Sequence, residues 1–446
     1  MPALDETHDP GRRSWLASAN DPGADFPIQN LPLAVFRRCR AEAPPSGGIG
    51  IGDRILDLAA AHRAGLFQGK AAEAAAAASA PTLNRLMALG PAHASALRVQ
   101  AARLLAAGGD DEGVRRLSAE SALVPLAEVE LLLPAAIGDY TDFYASVFHA
   151  TNVGKLMRPD NPLLPNYKWL PVGYHGRASS VVPSGTAVMR PSGQAKGAAE
   201  ESPHLGPSRL LDYEVELGFF VGPGNALGHP VPIEAASAHI FGFCLLNDWS
   251  ARDIQGWEYQ PLGPFLGKSF ATTVSPWVVT PDALAPFRAP AFARLAGDPA
   301  PLPYLASARD AAEGGIDITV EAFLSTARMR EAGIPAERVS RGNSRDIYWT
   351  VAQMLAHHTV NGCNLNPGDL LASGTLSGPA KENWGSLLEI TARGKEPLTL
   401  PGGETRGFLA DGDEVVIRGR CAREGFVAIG FGECRGIVTA ATGGGA

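Results

Sequence analysis

Glycine and proline interrupt this chain so often that long helices have little room. The 446 residues include 51 Gly and 36 Pro, against a usual combined share of about 12%. Between the interruptions lie short apolar runs: LLDYEVELGFFVG, HIFGFCLLND, SPWVVT, IDITVEAFLS, LLASGTLSG, LLEITARG, EVVIRG and GFVAIGFGEC. Runs of this kind read as strands, and their density after residue 135 predicts a large sandwich or roll. One helix breaks the series, marked by Ile347, Val351, Met354, Leu355 and His358 at near-helical spacing. The stretch 281–303 holds six prolines and reads as a surface excursion.

Before residue 135 the pattern differs. GIGIGDRILDL (Gly48–Leu58) alternates like a strand, and the AAEAAAAASA tract follows with the strongest helix former. Pro81 opens PTLNRLMALG, where Leu83, Leu86 and Met87 keep helical spacing and Gly90 can close the turn. Leu97, Ala101, Leu104 and Leu105 repeat the pattern until Gly108-Gly109. The expectation is a small α+β module over 1–134, followed by a mostly β domain over 135–446.

Charge and cysteine usage narrow the function. A formal charge of −8 offers no positive surface for a phosphate backbone, so nucleic acid is not the expected partner. The five cysteines are scattered without a CxxC pair, which indicates neither a disulfide framework nor a zinc ribbon. The opening MPALDETHDPGRR lacks the apolar core of a secretory signal, and no apolar stretch approaches the length of a membrane span. The reading is a reduced, soluble, cytoplasmic protein.

Chemistry concentrates in three segments. In LDYEVELGFFVG, Glu214 and Glu216 are two apart and would share one face of a strand. Two adjacent anions on an otherwise apolar strand repel each other, and a cation would remove the conflict; a solvent-facing edge is the bland alternative. In LLNDWSARDIQGWEYQPLG, Asp248 ends a buried run, either as a metal ligand or as a helix N-cap. Arg252, Gln255 and Tyr259 then fall on one helix face, suited to an anionic organic substrate, with Trp249 and Ile254 left to pack. In GDYTDFYASVFHATNVGKLMR, Asp142 and His149 would share a face if the segment were helical throughout. Asp139 competes with Asp142 as a ligand, and His175 in GYHGRASS is a second histidine candidate on an expected loop. Two nucleotide motifs fail: GPFLGKS has three residues between its glycines instead of four, and the glycines of GGIGIGD lie within a strand.

The segments DYTDFY, HATNVG, LPVGYHGRASS, LDYEVELGFFVGPGN, NDWSARDIQGWEYQPLGPFLGKSFATT and LLASGTLSG resemble the fumarylacetoacetate hydrolase family. DFPIQNLPLAVF and GIGDRILDL extend the resemblance to essentially the full length. It implies an α+β, mostly β fold: an SH3-like N-terminal domain with helices over 1–134 and a β-sandwich roll over 135–446, assembled as a homodimer. It implies a divalent cation, calcium or magnesium, held by Asp142, Glu214, Glu216 and Asp248, with Lys268 and Thr272 at a second, magnesium-type site. His149 is by the same implication the base, paired with Glu389, while Arg252, Gln255 and Lys268 hold developing negative charge. Tyr144, Arg158, Tyr174, Gln255, Tyr259 and Thr375 would clamp the substrate.

The implied reaction is hydrolysis of the carbon–carbon bond of fumarylacetoacetate to fumarate and acetoacetate, the last step of tyrosine and phenylalanine breakdown. In it the cation polarises the diketone and stabilises the enolate. Hydrolysis of fumarylpyruvate or another acylpyruvate, and oxaloacetate decarboxylation, are rivals of the same class. A metal-binding scaffold without catalysis is the rival of another class, opposed by the expected residue type at every matched position. AKENWG after SGP departs from the family's more acidic version and bears on loop detail, not on the ligands.

Overall fold

The computed structural model describes residues 3–39, 44–108, 111–119, 121–197 and 199–442. Toward the N-terminus five short antiparallel strands form a sheet in the order Leu123–Pro125, Arg54–Asp57, Ser46–Ile51, Leu33–Arg38, Val129–Leu132. GIGIGDRILDL is therefore a hairpin and not a single strand. It turns at Gly52, whose φ of +53° only glycine adopts freely. The first arm alternates, whereas the second, RILD, sets Ile55 beside Leu56, so alternation alone does not mark the turn.

The Ala-rich tract forms Lys70–Ala78 and packs on Pro91–Leu105. Ala71, Ala74, Ala75 and Ala78 are its buried positions, and such small side chains let two helices approach closely. PTLNRLMALG holds only the short helix Asn84–Ala88; Gly90, at φ +80°, then places Pro91 at the start of the next one. That helix buries Leu97, Ala101, Leu104 and Leu105 and ends at Leu105. Gly109 lies outside the described residues.

The centre of the molecule is a seven-stranded sheet in the order Gly173–Gly176, Tyr140–Phe143, Leu370–Ala372, Val215–Val221, Ile240–Asp248, Thr272–Val274, Val181–Pro183. Side chains alternate between two cores. Leu217, Phe219, Phe243 and Leu245 pack toward a second sheet that contributes Val320, Leu324, Val415, Ile417 and Phe431. Phe220, Cys244, Leu246, Val274 and Ala372 pack toward Leu83, Leu86, Met87 and Leu97 of the N-terminal helices. The second sheet runs Glu337–Asn343, Thr319–Ser325, Glu414–Cys421, Ile429–Thr439, Val188–Met189. The central sheet is thus sandwiched, and its strands read as apolar on both faces, as doubly covered strands must. Truncating a fully buried ring such as Phe219 in such a layer costs about 3–5 kcal/mol.

Several local expectations are corrected here. SPWVVT forms no regular strand: Val278 and Val279 make isolated bridges to Leu33 and Phe243, tying the N-terminal sheet to the central one. Of LLASGTLSG only Leu370–Ala372 is a strand. LLEITARG contains the short helix Leu387–Ile390 instead of a strand, because a distant residue, Asp212, accepts from the backbone N–H of Leu387 at 2.8 Å and Leu388 at 3.0 Å. Asp142 and His149 do not share a helix: a strand, Tyr140–Phe143, gives way to the helix Val147–Met157. The later helix spans Val351–Thr359, begun by a Thr350–Gln353 capping box, and Ile347 precedes it. The excursion at 281–303 is irregular apart from Arg288–Ala289 and short turns, yet it buries Leu284 and Phe287. No helix among the described residues is long and apolar enough to cross a membrane.

Candidate active site

One face of the central sheet carries acids at its edge. Asp142 is two residues from Tyr140 and pairs in register with Ala372; Asp248 is two from Leu246 and pairs with Thr272. Tyr140, Ala372 and Leu246 all face the N-terminal core, so alternation brings the acids to that same face. Glu216 follows the same parity, and Glu214 precedes the strand. Asp142, Glu214, Glu216 and Asp248 each bring one oxygen to within 4.8 Å of the others, and all four are buried. The solvent-facing alternative for Glu214 and Glu216 is overturned, with exposures of 5% and 0%.

The electrostatics of this cluster are uneven. Burial, then the neighbouring carboxylates, push Asp142 and Glu216 well above the usual carboxylate range. Burial also opposes ionisation of Glu214, but the Lys268 and Arg252 charges outweigh it and hold its pKa below normal. Asp142 Oδ1 and Glu216 Oε1 are buried without a hydrogen-bond partner. Orphaned oxygens on mutually repelling acids are what a bound cation would satisfy, and an all-oxygen donor set suits a hard divalent ion. The cluster fits such an ion. Asp139, by contrast, is exposed and outside the cluster.

His149 sits on the adjoining helix, its backbone N–H bonded to the N-cap Ser146 Oγ at 3.1 Å. Its Nδ1 lies 2.7 Å from Glu389 Oε2, and its Nε2 lies 4.0 Å from Glu214 Oε1. Glu389 also accepts from Asn152 at 2.9 Å, Ser377 at 2.9 Å and Ser386 at 2.8 Å. Burial would raise its pKa, but His149 and these donors hold it below normal. Arg252 donates through Nε to Asp212 at 2.9 Å and through Nη1 to Gln255 Oε1 at 3.2 Å, and its Nη1 pairs with Glu214 at 2.8 Å. Lys268 Nζ bridges Glu214 and Asp248, 2.6 Å from the latter, and these acids outweigh burial to raise its pKa. Asp248 further accepts from Tyr174 and Thr272, each at 2.9 Å.

Above the cluster opens a cavity of about 410 Å³. Tyr144, Arg158, Tyr174, Gln255, Tyr259 and Thr375 all line it, together with His149, Arg252 and Lys268. Thr375 Oγ1 and Arg158 Nε are buried and unpartnered, poised for a ligand. Glu216, Asp248 and Thr272 lie outside the lining and are buried. His175 is not brought in; it is exposed on the strand Gly173–Gly176, not on a loop, with its ring 6.5 Å from that of His358. The AKENWG segment bonds to the far edge of the second sheet, through Asn383 Nδ2 to Arg341 O at 2.8 Å. The glycine loop of GPFLGKS is occupied internally: the N–H groups of Phe265, Leu266 and Gly267 bind the Glu258 carboxylate at 2.8, 3.0 and 2.8 Å.

Residues not anticipated from sequence complete the site. Asp212 joins Arg252 to the Glu389 helix, and Asn152, Ser377 and Ser386 hold Glu389. The signal for Asp212 was present, since Asp212, Glu214 and Glu216 are spaced by two. Serines that meet only through folding carried no comparable sign. Arg393 also lines the cavity.

The family described as "Fumarylacetoacetate (FAA) hydrolase C-terminal" matches residues 140–439, and "Fumarylacetoacetase N-terminal" matches residues 29–134. A fumarylacetoacetase of Homo sapiens is 50% identical over 431 residues, covering 95% of this chain and 98% of that protein. One of Oryza sativa subsp. japonica is 48% identical over 437 residues, covering 96% and 98%. One of Caenorhabditis elegans is 50% identical over 422 residues, covering 93% and 96%.

Proposed function

The chain belongs to the fumarylacetoacetate hydrolase family, and from that premise we propose how its cavity hydrolyses fumarylacetoacetate to fumarate and acetoacetate. The observation that carries the reading is the His149–Glu389 contact of 2.7 Å beside four converging carboxylates. We take Asp142, Glu214, Glu216 and Asp248 as the residues that hold the divalent ion. When bound, that ion supplies Lewis acidity for the 1,3-diketone.

His149 acts as general base. Its Nδ1 faces a carboxylate and so carries the proton, leaving Nε2 to accept one from water. The hydroxide so formed adds to the carbonyl on the fumaryl side, and the bond from that carbon to the adjacent methylene breaks. The electron pair leaves with acetoacetate as its enolate, and the imidazolium returns the proton to carbon. Glu389 offsets the charge on His149 during the interval. Arg252 and Lys268 keep positive charge beside the reacting carbonyl, and Gln255, whose oxygen accepts from Arg252, lines the cavity with them. Arg158 holds a substrate carboxylate, and Tyr144, Tyr174, Tyr259 and Thr375 bound the remainder. Lys268 is a charge partner for Glu214 and Asp248; an ammonium has no lone pair, so any second ion near Thr272 would need other atoms of Lys268.

Finer points rest on the family resemblance: calcium or magnesium as the ion, a homodimer, a cytoplasmic location, tyrosine and phenylalanine breakdown as context, and domains at 1–134 and 135–446. An SH3-like reading of the first is supported by its five-stranded antiparallel sheet. The test is a comparison of kcat/KM for fumarylacetoacetate and for acylpyruvates, with products identified. Preference for fumarylacetoacetate, lost on chelation and regained with magnesium or calcium, supports the reading. Preference for an acylpyruvate would replace it.

A further inference from the structure

Four side chains of fixed positive charge line the cavity: Arg158, Arg252, Lys268 and Arg393. Two are already committed. Arg252 is paired with Asp212 and Glu214, and Lys268 with Glu214 and Asp248. Turning Arg252 to a ligand would strand the buried Asp212, which is costly, and Lys268 lies against the acid cluster, where the function proposed above sets it beside the reacting carbonyl. Arg158 has a buried Nε without a partner, and Arg393 is an exposed side chain at the same cavity. A substrate with a carboxylate at each end needs two uncommitted cations, and the cavity supplies two.

The backbone at Arg393 is fixed. The residue follows the Glu389 helix through two non-glycine residues in the left-handed region, Ala392 at φ +48° and Arg393 at φ +60°. Its N–H bonds to Leu388 O at 2.9 Å, and that of Ala392 to Glu389 O at 3.1 Å. Such conformations are uncommon outside glycine and persist only where the surroundings hold them. Here they fold the chain back on the helix that carries Glu389, so that Arg393 shares the cavity with His149. A guanidinium at that place offers a planar pair of donors to a carboxylate.

We propose that Arg393 is a specificity residue that receives the fumaryl carboxylate of a dianionic diketo acid, Arg158 receiving the acetoacetyl one. The inference rests on the function proposed above. It is tested by steady-state kinetics of wild type, Arg393→Gln and Arg393→Lys on two substrates. One is fumarylacetoacetate; the other is a monoanionic analogue with an uncharged end in place of the fumaryl carboxylate. Arg393→Gln should raise KM for the dianion on the order of tenfold with a much smaller change in kcat, and Arg393→Lys should recover part of it. For the monoanion the same variants should match wild type in KM. Equal effects on both substrates, or none on either, would overturn the assignment of Arg393 while leaving the hydrolase reading intact. Failure of wild type to cleave the dianion would overturn both.

Discussion

At the scale of single residues, the proposed hydrolysis depends on one ring and its partner. A neutral histidine is a modest base; in the proposed mechanism Glu389 fixes its tautomer and offsets the charge it gains. His149→Ala should therefore lower kcat on the order of 10²–10⁴-fold while the protein still folds and binds its ion. Glu389→Gln should cost less, and the double variant should lose little more than His149→Ala, because the two act as one unit. Losses that multiply in the double variant would show that Glu389 works apart from His149. The legibility of these residues differed for a physical reason. Glu214 and Glu216 announce a shared face by their spacing, because a strand repeats every two residues. His149 and Glu389 are separated by 240 positions, and only folding, or likeness to proteins already folded, brings them together.

At the scale of elements, the short helix Leu387–Ile390 is the least predictable piece and among the most consequential. Its residues read as a strand, and what turns them into a helix is Asp212, which also holds Arg252. Every group bonded to Asp212 is a donor, including Tyr213 N–H at 2.9 Å. An amide there would have to point its own N–H₂ at other donors. Asp212→Asn should accordingly destabilise the protein by about 3–5 kcal/mol in denaturant unfolding, as breaking a buried pair does. It should also lower kcat more than it changes KM, since Glu389 and Arg252 both shift. An unchanged unfolding midpoint with unchanged kcat would mean that Asp212 supports neither. The hairpin at Gly52 was misread for a different reason: alternation does not report where a strand reverses.

For the whole molecule, the sequence already showed a mostly β chain with a helical N-terminal part, because strand-length apolar runs and Gly/Pro punctuation are local properties. The stacking of that part on one face of the central sheet was not legible, since it depends on which side of each strand is covered. The acid cluster lies buried on that same face, and from its burial follows a prediction about stability. Removing divalent ions should abolish activity and lower Tm, and magnesium or calcium should restore both, because an ion that binds only the folded state stabilises it. Without metal, Glu216→Gln should melt at or above wild type, since it removes one of several repelling charges, and it should gain less on adding the ion. A lower Tm than metal-free wild type would show that the cluster is not repulsive. The most direct measurement is hydrolysis of fumarylacetoacetate in ¹⁸O-enriched water with mass analysis of both products at early times. Equal amounts of fumarate and acetoacetate, with one solvent oxygen in the new carboxylate of fumarate, are the predicted result. Unlabelled fumarate, or products in unequal amounts, would contradict water attack at the fumaryl carbonyl.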